Sequence, residues 1–205
     1  MKKISYTILV LTLFVSTASF AQRSFWSFNY EMSFGLGEQA DYVADPSFRG
    51  WGLEGRGFLT QEISVGGSFS WEVFDQIYRD LDPHQITVTD DISGAVSGVQ
   101  YRYINTLPIL VNAHYYLGQD GTVRPYFGLA IGTAYTEQKT EIGLIAITTN
   151  GWGFAVQPEV GVMIPFGLTG VGANVAGRFR YTSKAGDTTI PVSFFTLAIG
   201  LAFVN

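Results

Sequence analysis

Bulky apolar residues recur at every second position over long stretches of this chain. Phe28, Tyr30, Met32, Phe34 and Leu36 interleave with Asn29, Glu31, Ser33, Gly35 and Gly37. A period of two sends alternate side chains to opposite faces of a strand, so this segment predicts one bulky face and one small or polar face. Seven further segments repeat the pattern, at Trp51–Leu59, Ile63–Val73, Leu107–Tyr115, Phe127–Tyr135, Trp152–Phe166, Val171–Tyr181 and Phe195–Phe203. Glycine, at 24 residues, counts against helices. Pro108, Pro158 and Pro165 fall inside three of the eight strands. Each lacks an N–H for the ladder and therefore requires a bulge or a strand end.

The links between strands alternate in length. Those near 60–62, 118–123 and 167–170 are short; those at 38–49, 75–98, 137–150 and 182–191 are longer and more polar. Short turns at one rim and long loops at the other predict an up-and-down meander that crosses a bilayer. The alternative is a soluble barrel with its bulky face inward. Size decides between them, because eight strands enclose a bore just wide enough for side chains. The small residues must point inward, and a bulky outer face requires lipid as its solvent. Aromatic residues fall in two groups, one near the long loops (Trp51, Trp71, Tyr135, Trp152, Tyr181) and one near the short turns (Trp26, Phe28, Tyr115, Phe127, Phe166, Phe203). Two such girdles mark the two membrane interfaces. The predicted fold is all-β, an eight-stranded antiparallel up-and-down transmembrane β-barrel.

Composition adds three limits. Residues 1–21 have a basic start at Lys2 and Lys3, an apolar run from Ile8 to Val15, and small residues at Ser19 and Ala21. This is the pattern of a secretory signal peptide cut after Ala21, leaving residues 22–205 as the barrel domain. That segment carries 10 basic and 17 acidic residues, a net charge of −7, which argues against nucleic acid as a partner. The chain has no cysteine, so neither disulfides nor thiolate metal sites contribute.

The leader, the strands "RPYFGLAIGTAY" and "FAVQPEVGVMIPF" and the closing "FTLAIGLAF" resemble the small bacterial outer-membrane β-barrel family related to OmpA, OmpX and OmpW. That resemblance implies residence in a Gram-negative outer membrane, contact with its lipid and lipopolysaccharide, and insertion by the barrel-assembly machinery. The machinery reads a closing strand that ends in an aromatic; here Phe203 precedes Val204 and Asn205.

Charges on the predicted inner face are Glu31, Glu54, Arg56, Glu72, Arg102, Glu159, Arg178 and Arg180. With a short turn near Gly167, Glu159 falls across the ladder from Ala176 or Arg178, with Glu54 and Glu72 farther round. Such a set predicts a structural plug of ion pairs rather than an open ion path. His114 is expected as a hydrogen-bonding group in the lumen and His84 as a loop residue beside Asp82; neither has neighbours that specify a nucleophile. Asp75, Asp80, Asp82, Asp90 and Asp91 have no calcium-loop spacing, and no cofactor or metal is called for. "EIGLIAI" is apolar for an exposed link, and either extends its hairpin above the membrane or meets a partner. The reading is a monomeric barrel with a plugged lumen and a structural or surface-interaction role through loops 75–98 and 137–150. A narrow channel for small or apolar molecules, as in OmpW, is the alternative, and a lipid A-modifying enzyme the third reading.

Overall fold

Every strand edge in lipid must find a partner, and this chain meets that demand by closing on itself. The computed structural model describes residues 23–205 apart from 80–83, 90, 91, 97, 98, 144, 168, 185 and 189. The predicted signal peptide lies outside the described residues, as do Asp80, Asp82, Asp90 and Asp91. The strands are β1 (Ser24–Gly35), β2 (Ser47–Phe58), β3 (Ile63–Tyr78), β4 (His84–Thr89), β5 (Ile92–Val96), β6 (Gln100–Tyr116), β7 (Arg124–Ile142), β8 (Ile145–Pro165), β9 (Val171–Thr182) and β10 (Val192–Val204), with a short helix α1 (Glu38–Tyr42). Eight of them close in the order β1-β10-β9-β8-β7-β6-β3-β2, and β4 and β5 pair separately as a hairpin.

The pairing row that starts at Ser33 climbs as it goes round. It passes through Thr196, Arg178, Glu159, Gly128, His114, Ser64 and Phe58, and Phe58 N–H then donates to Arg23 O at 3.0 Å. It therefore returns to β1 ten residues below its start. This stagger tilts the strands and sets the bore.

The faces fall as alternation requires. On β1 Ser27, Asn29, Glu31 and Ser33 are buried, while Trp26, Phe28, Tyr30 and Phe34 are exposed on the outer wall. Along β6 the lipid-facing set runs from Leu107 through Ile109, Val111 and Ala113 to Tyr115. At ~3.3 Å per residue and ~40° of tilt these nine positions span ~23 Å, close to the apolar band of outer-membrane barrels. Among the described residues no helix is long and apolar enough to cross a membrane; the strands cross instead.

Four expectations change. Large apolar residues are not confined to the outside: Phe25, Phe58, Phe74, Phe194, Ile104, Leu110, Tyr116 and Tyr126 point inward and are buried. The segment 137–150 is not a loop, since β7 and β8 pair as far as Ile142 and Ile145. The segment 75–98 holds the end of β3 and the β4–β5 hairpin. Pro108 and Pro158 cause no bulge: the β3–β6 and β8–β9 ladders skip the pairs beside them and resume in the same register. Pro165 ends its strand, and the register shifts lie elsewhere, between Glu31 and Ser33 in the barrel and between Thr87 and Thr89 in the β4–β5 hairpin.

If the outer face is in lipid, Leu129→Arg near the middle of the wall should lower the unfolding free energy in vesicles by about 2–4 kcal/mol. Thr148→Arg, above the band, should change it by less than ~0.5 kcal/mol. Urea titration of tryptophan fluorescence in liposomes reads both, and a neutral Leu129→Arg would place that face in water.

Candidate functional site

The lumen is built in three tiers. The tier near the short turns packs Phe25, Phe58, Tyr116, Tyr126 and Met163 against Ala176, Ala198 and Ala202. At the same end the buried Arg124 guanidinium stacks 4.9 Å from the Tyr116 ring and donates to Asp120 Oδ1 at 2.5 Å. The tier near the loops packs Phe74, Ile104, Val192 and Phe194 with Val43. Val43 follows α1, so the helix sits in the barrel mouth; Gly37, with φ +55°, makes the turn into it.

Between these apolar tiers lies the charge cluster, and the staggered row explains its assembly. Row neighbours Arg178 and Glu159 face each other on β9 and β8, and the row continues through Gly128 to His114 on β6. Arg178 reaches three carboxylates: Nη1 donates to Glu31 Oε1 at 2.6 Å, Nη2 to Glu54 Oε2 at 2.8 Å, and Nε lies 3.1 Å from Glu159 Oε2. Arg56 donates from Nε to Glu54 Oε1 at 2.8 Å, from Nη2 to Glu159 Oε1 at 3.0 Å, and from Nη1 to the Tyr116 hydroxyl at 2.5 Å. Its guanidinium lies over the Phe25 and Tyr126 rings, 4.7 and 4.6 Å from their centroids. Arg180 pairs with Glu72 and donates from Nε to Gln157 Oε1 at 2.8 Å.

Neutral groups complete the network. Asn112 Nδ2 donates to Glu54 at 2.7 Å, Gln157 Nε2 to Glu159 at 3.1 Å, and the Tyr126 hydroxyl to Asn174 at 2.9 Å. His114 Nε2 lies 2.8 Å from Glu159 Oε1. Four carboxylates, three guanidiniums and one imidazole thus share the middle of the bore, with the side chains of Arg56, Glu159, Glu31 and Glu72 at 0% exposure.

Space for these groups comes from glycine. A Cβ on Gly128 would stand 2.2 Å from His114 Cδ2, and one on Gly52 would stand 2.5 Å from Glu31 Oε1. Neither is a turn; each lies beside a large polar side chain in a narrow tube.

Seven of the eight predicted lumen charges meet in this cluster. Arg102 does not. It lies at the mouth, donating to Tyr42 O at 3.2 Å with its guanidinium 4.4 Å from the Tyr78 ring centroid. Tyr116, Tyr126 and Gln157 were missed as members, although their inward parity was available. Of the other residues singled out, His84 opens β4 and Asp75 lies on β3, where Arg49 donates to it at 3.1 Å. Glu54, His114 and Glu159 bring potential ligand atoms within 4.8 Å of one another. Arg56 and Arg178 already hold both carboxylates, so a dication there would face two guanidiniums; the residues do not fit a metal.

A second feature stands at the loop end. The β8–β9 ladder stops at Ala155↔Thr182, while β8 extends back to Ile145. Above the ladder, Ser183 N–H donates to Phe154 O and Asp187 N–H to Asn150 O. From Ile145 to Thr149 the only ladder partner among the described residues is β7.

No protein-family model and no curated protein matches the sequence. Solved structures do. The attachment invasion locus protein Ail of Yersinia pestis aligns over 89% of this chain and 98% of its own, with 12% identity and a TM-score of 0.54. The chain has the fold of the small outer-membrane β-barrels. Ail in complex with the heparin analogue sucrose octasulfate aligns over the same shares at 12% identity and a TM-score of 0.51. Neisserial surface protein A aligns over 88% of this chain and 95% of its own, at 12% identity and a TM-score of 0.48.

In this barrel, Arg178→Met should cost about 3–5 kcal/mol by leaving carboxylates buried without their cation. Gly128→Ala should displace His114 and cost about 1–3 kcal/mol. Both are read from urea unfolding in vesicles, and an Arg178→Met change below ~1 kcal/mol would mean that the cluster is hydrated.

Proposed function

We propose that this protein is a monomeric resident of a Gram-negative outer membrane, with a plugged lumen and a surface-interaction role exercised by strands beyond the bilayer. The observation that carries the reading is where the strands stop. On β6 and β7 the outward side chains turn polar at Asn105 and Glu137, yet pairing continues to Gln100, Ile142 and Ile145. A barrel with only an anchoring role has no need of that extension.

The exposed edge of β8 reads Ile-Ala-Ile-Thr-Thr from Ile145 to Thr149. It lacks the charges and prolines by which edges are usually protected from pairing. Its open N–H and C=O groups suit an added strand, so the partner best matched to it is an extended protein segment. The β4–β5 hairpin offers a second surface. The heparin analogue bound by Ail is a polyanion; here Glu38, Asp41, Asp45, Asp75, Glu137 and Glu141 all lie toward the loop end, so a polyanion is not carried over.

The filled tiers support the plug over a narrow channel. For the enzyme reading, His114 Nε2 lies 2.8 Å from Glu159 Oε1 and its ring packs edge-on to that of Tyr126, and among the described residues it makes no hydrogen bond to a serine or threonine hydroxyl, its cross-strand neighbour Ser64 included.

In planar bilayers the purified chain should give no steady conductance; a stable ion-selective step would defeat the plug. Vesicles displaying the chain should enrich extended sequences from a random-peptide display library. Replacing residues 140–147 by an Asn-Gly turn should abolish that enrichment while the barrel keeps its heat-modifiable gel mobility. Enrichment that survives the replacement would contradict the edge as the interaction surface.

A further inference from the structure

The outer wall carries one feature that neither the plug nor the projecting edge uses. A groove of about 190 Å³ is lined by Trp71 of β3, Asn105, Thr106 and Leu107 of β6, and Tyr135 and Glu137 of β7. Its shape follows from Pro108. The β3–β6 ladder passes from Phe69↔Ile109 directly to Glu72↔Thr106, so the wall is unpaired where Trp71 stands across from Leu107. On the other side Asn105 is paired with Glu137 and Leu107 with Tyr135, and the Tyr135 ring lies 5.6 Å from that of Trp152.

The groove therefore sits where the apolar band gives way to polar side chains, inside an aromatic girdle. Its chemistry is unusual for that depth. Glu137 is half-buried beside Trp71 and Tyr135, and among the described residues it forms no ion pair. Its one hydrogen bond comes from the neutral Asn105 amide, Nδ2 to Oε1 at 3.3 Å. Lys139, two positions along the same strand, pairs with Glu141. The Glu137 carboxylate shares one groove with two aromatic side chains at a membrane boundary and has no ion-pair partner within 4 Å among the described residues. Rings and carboxylate together select an ammonium, by cation–π attraction and by accepting its N–H bonds.

We propose that this groove binds the primary ammonium of an aminated lipid headgroup. The Glu137 carboxylate and the Asn105 carbonyl oxygen accept its N–H donors, the Trp71 and Tyr135 rings flank it, and the acyl chains lie along Leu107, Ile109 and Val111 below. The occupant is a lipid rather than a free amine because the groove opens onto the apolar wall. An anionic headgroup is disfavoured by Glu137, and a quaternary one cannot donate hydrogen bonds to it.

The test uses the full chain in nanodiscs of equal phosphatidylethanolamine, phosphatidylcholine and phosphatidylglycerol with matched acyl chains. Lipid retained on release is counted by native mass spectrometry. Phosphatidylethanolamine should exceed phosphatidylglycerol by about fivefold to tenfold, the scale of one partly desolvated ammonium contact, and should exceed phosphatidylcholine. Glu137→Gln should erase the preference, and Glu62→Gln, an exposed change in the turn between β2 and β3 at the opposite rim, should preserve it. As a measurement independent of any variant, adding phosphatidylethanolamine to phosphatidylglycerol nanodiscs should change tryptophan emission in the wild-type chain. Equal retention of the three lipids, a preference that persists in Glu137→Gln, an unchanged emission, or displacement by an equal concentration of free ethanolamine would each overturn the assignment.

Discussion

One guanidinium, that of Arg178, joins three carboxylates from three other strands inside a closed tube. Glu31 comes from β1, Glu54 from β2 and Glu159 from β8. These contacts cross the lumen as well as the ladder, so they tie opposite walls together. A charge so buried is tolerated only while its partners stay in place. The cost of taking four carboxylates and three guanidiniums out of water is offset by mutual pairing, by amide and hydroxyl donors, and by the rings under Arg56. Any loss of register between the strands would leave some of these groups unpaired, which makes the cluster a check on the stagger of the whole barrel.

The rest of the interior follows from that arrangement. Two apolar tiers flank the cluster, the lower rich in tyrosine and phenylalanine, the upper including Val43 after α1. Low dielectric between the tiers strengthens each ion pair and raises the penalty for an incomplete one. Glycines at 52 and 128 give the bore room for Glu31 and His114 where any larger residue would collide. On the proposed reading of a plugged lumen, the surfaces left for recognition are the outer wall and the strands above it. The free β8 edge and the Trp71–Glu137 groove both lie there.

Alternation alone made much of this legible. The parity of Phe28 against Asn29, repeated strand by strand, sorts lipid-facing from inward residues, and a short turn near Gly167 already sets Glu159 opposite Ala176 or Arg178. What alternation cannot supply is the stagger. Which inward charge meets which across the lumen depends on the climb of ten residues per circuit, so Arg102 was grouped with a cluster from which it stands apart. Bulk was a poor guide to direction for the same residues that seal the ends, Phe25, Phe58, Phe74 and Phe194, whose parity was right but whose size suggested lipid. The hairpin at 137–150 was obscured for another reason. Above the membrane the outer face meets water instead of lipid, so the sequence Thr-Glu-Ile-Gly-Leu-Ile-Ala-Ile carries no sharp contrast between faces, and strand and loop look alike.

The most direct measurement is the nitrogen-15 NMR signature of the arginine side chains in bicelles. A guanidinium held by three carboxylates cannot rotate freely and is shielded from solvent. The account predicts that Arg178 shows separate, slowly exchanging Nη–H resonances that disappear in Arg178→Lys. A single averaged resonance for Arg178, exchanging with water as fast as that of an exposed arginine such as Arg49, would contradict a dry ion cluster at the centre of the barrel.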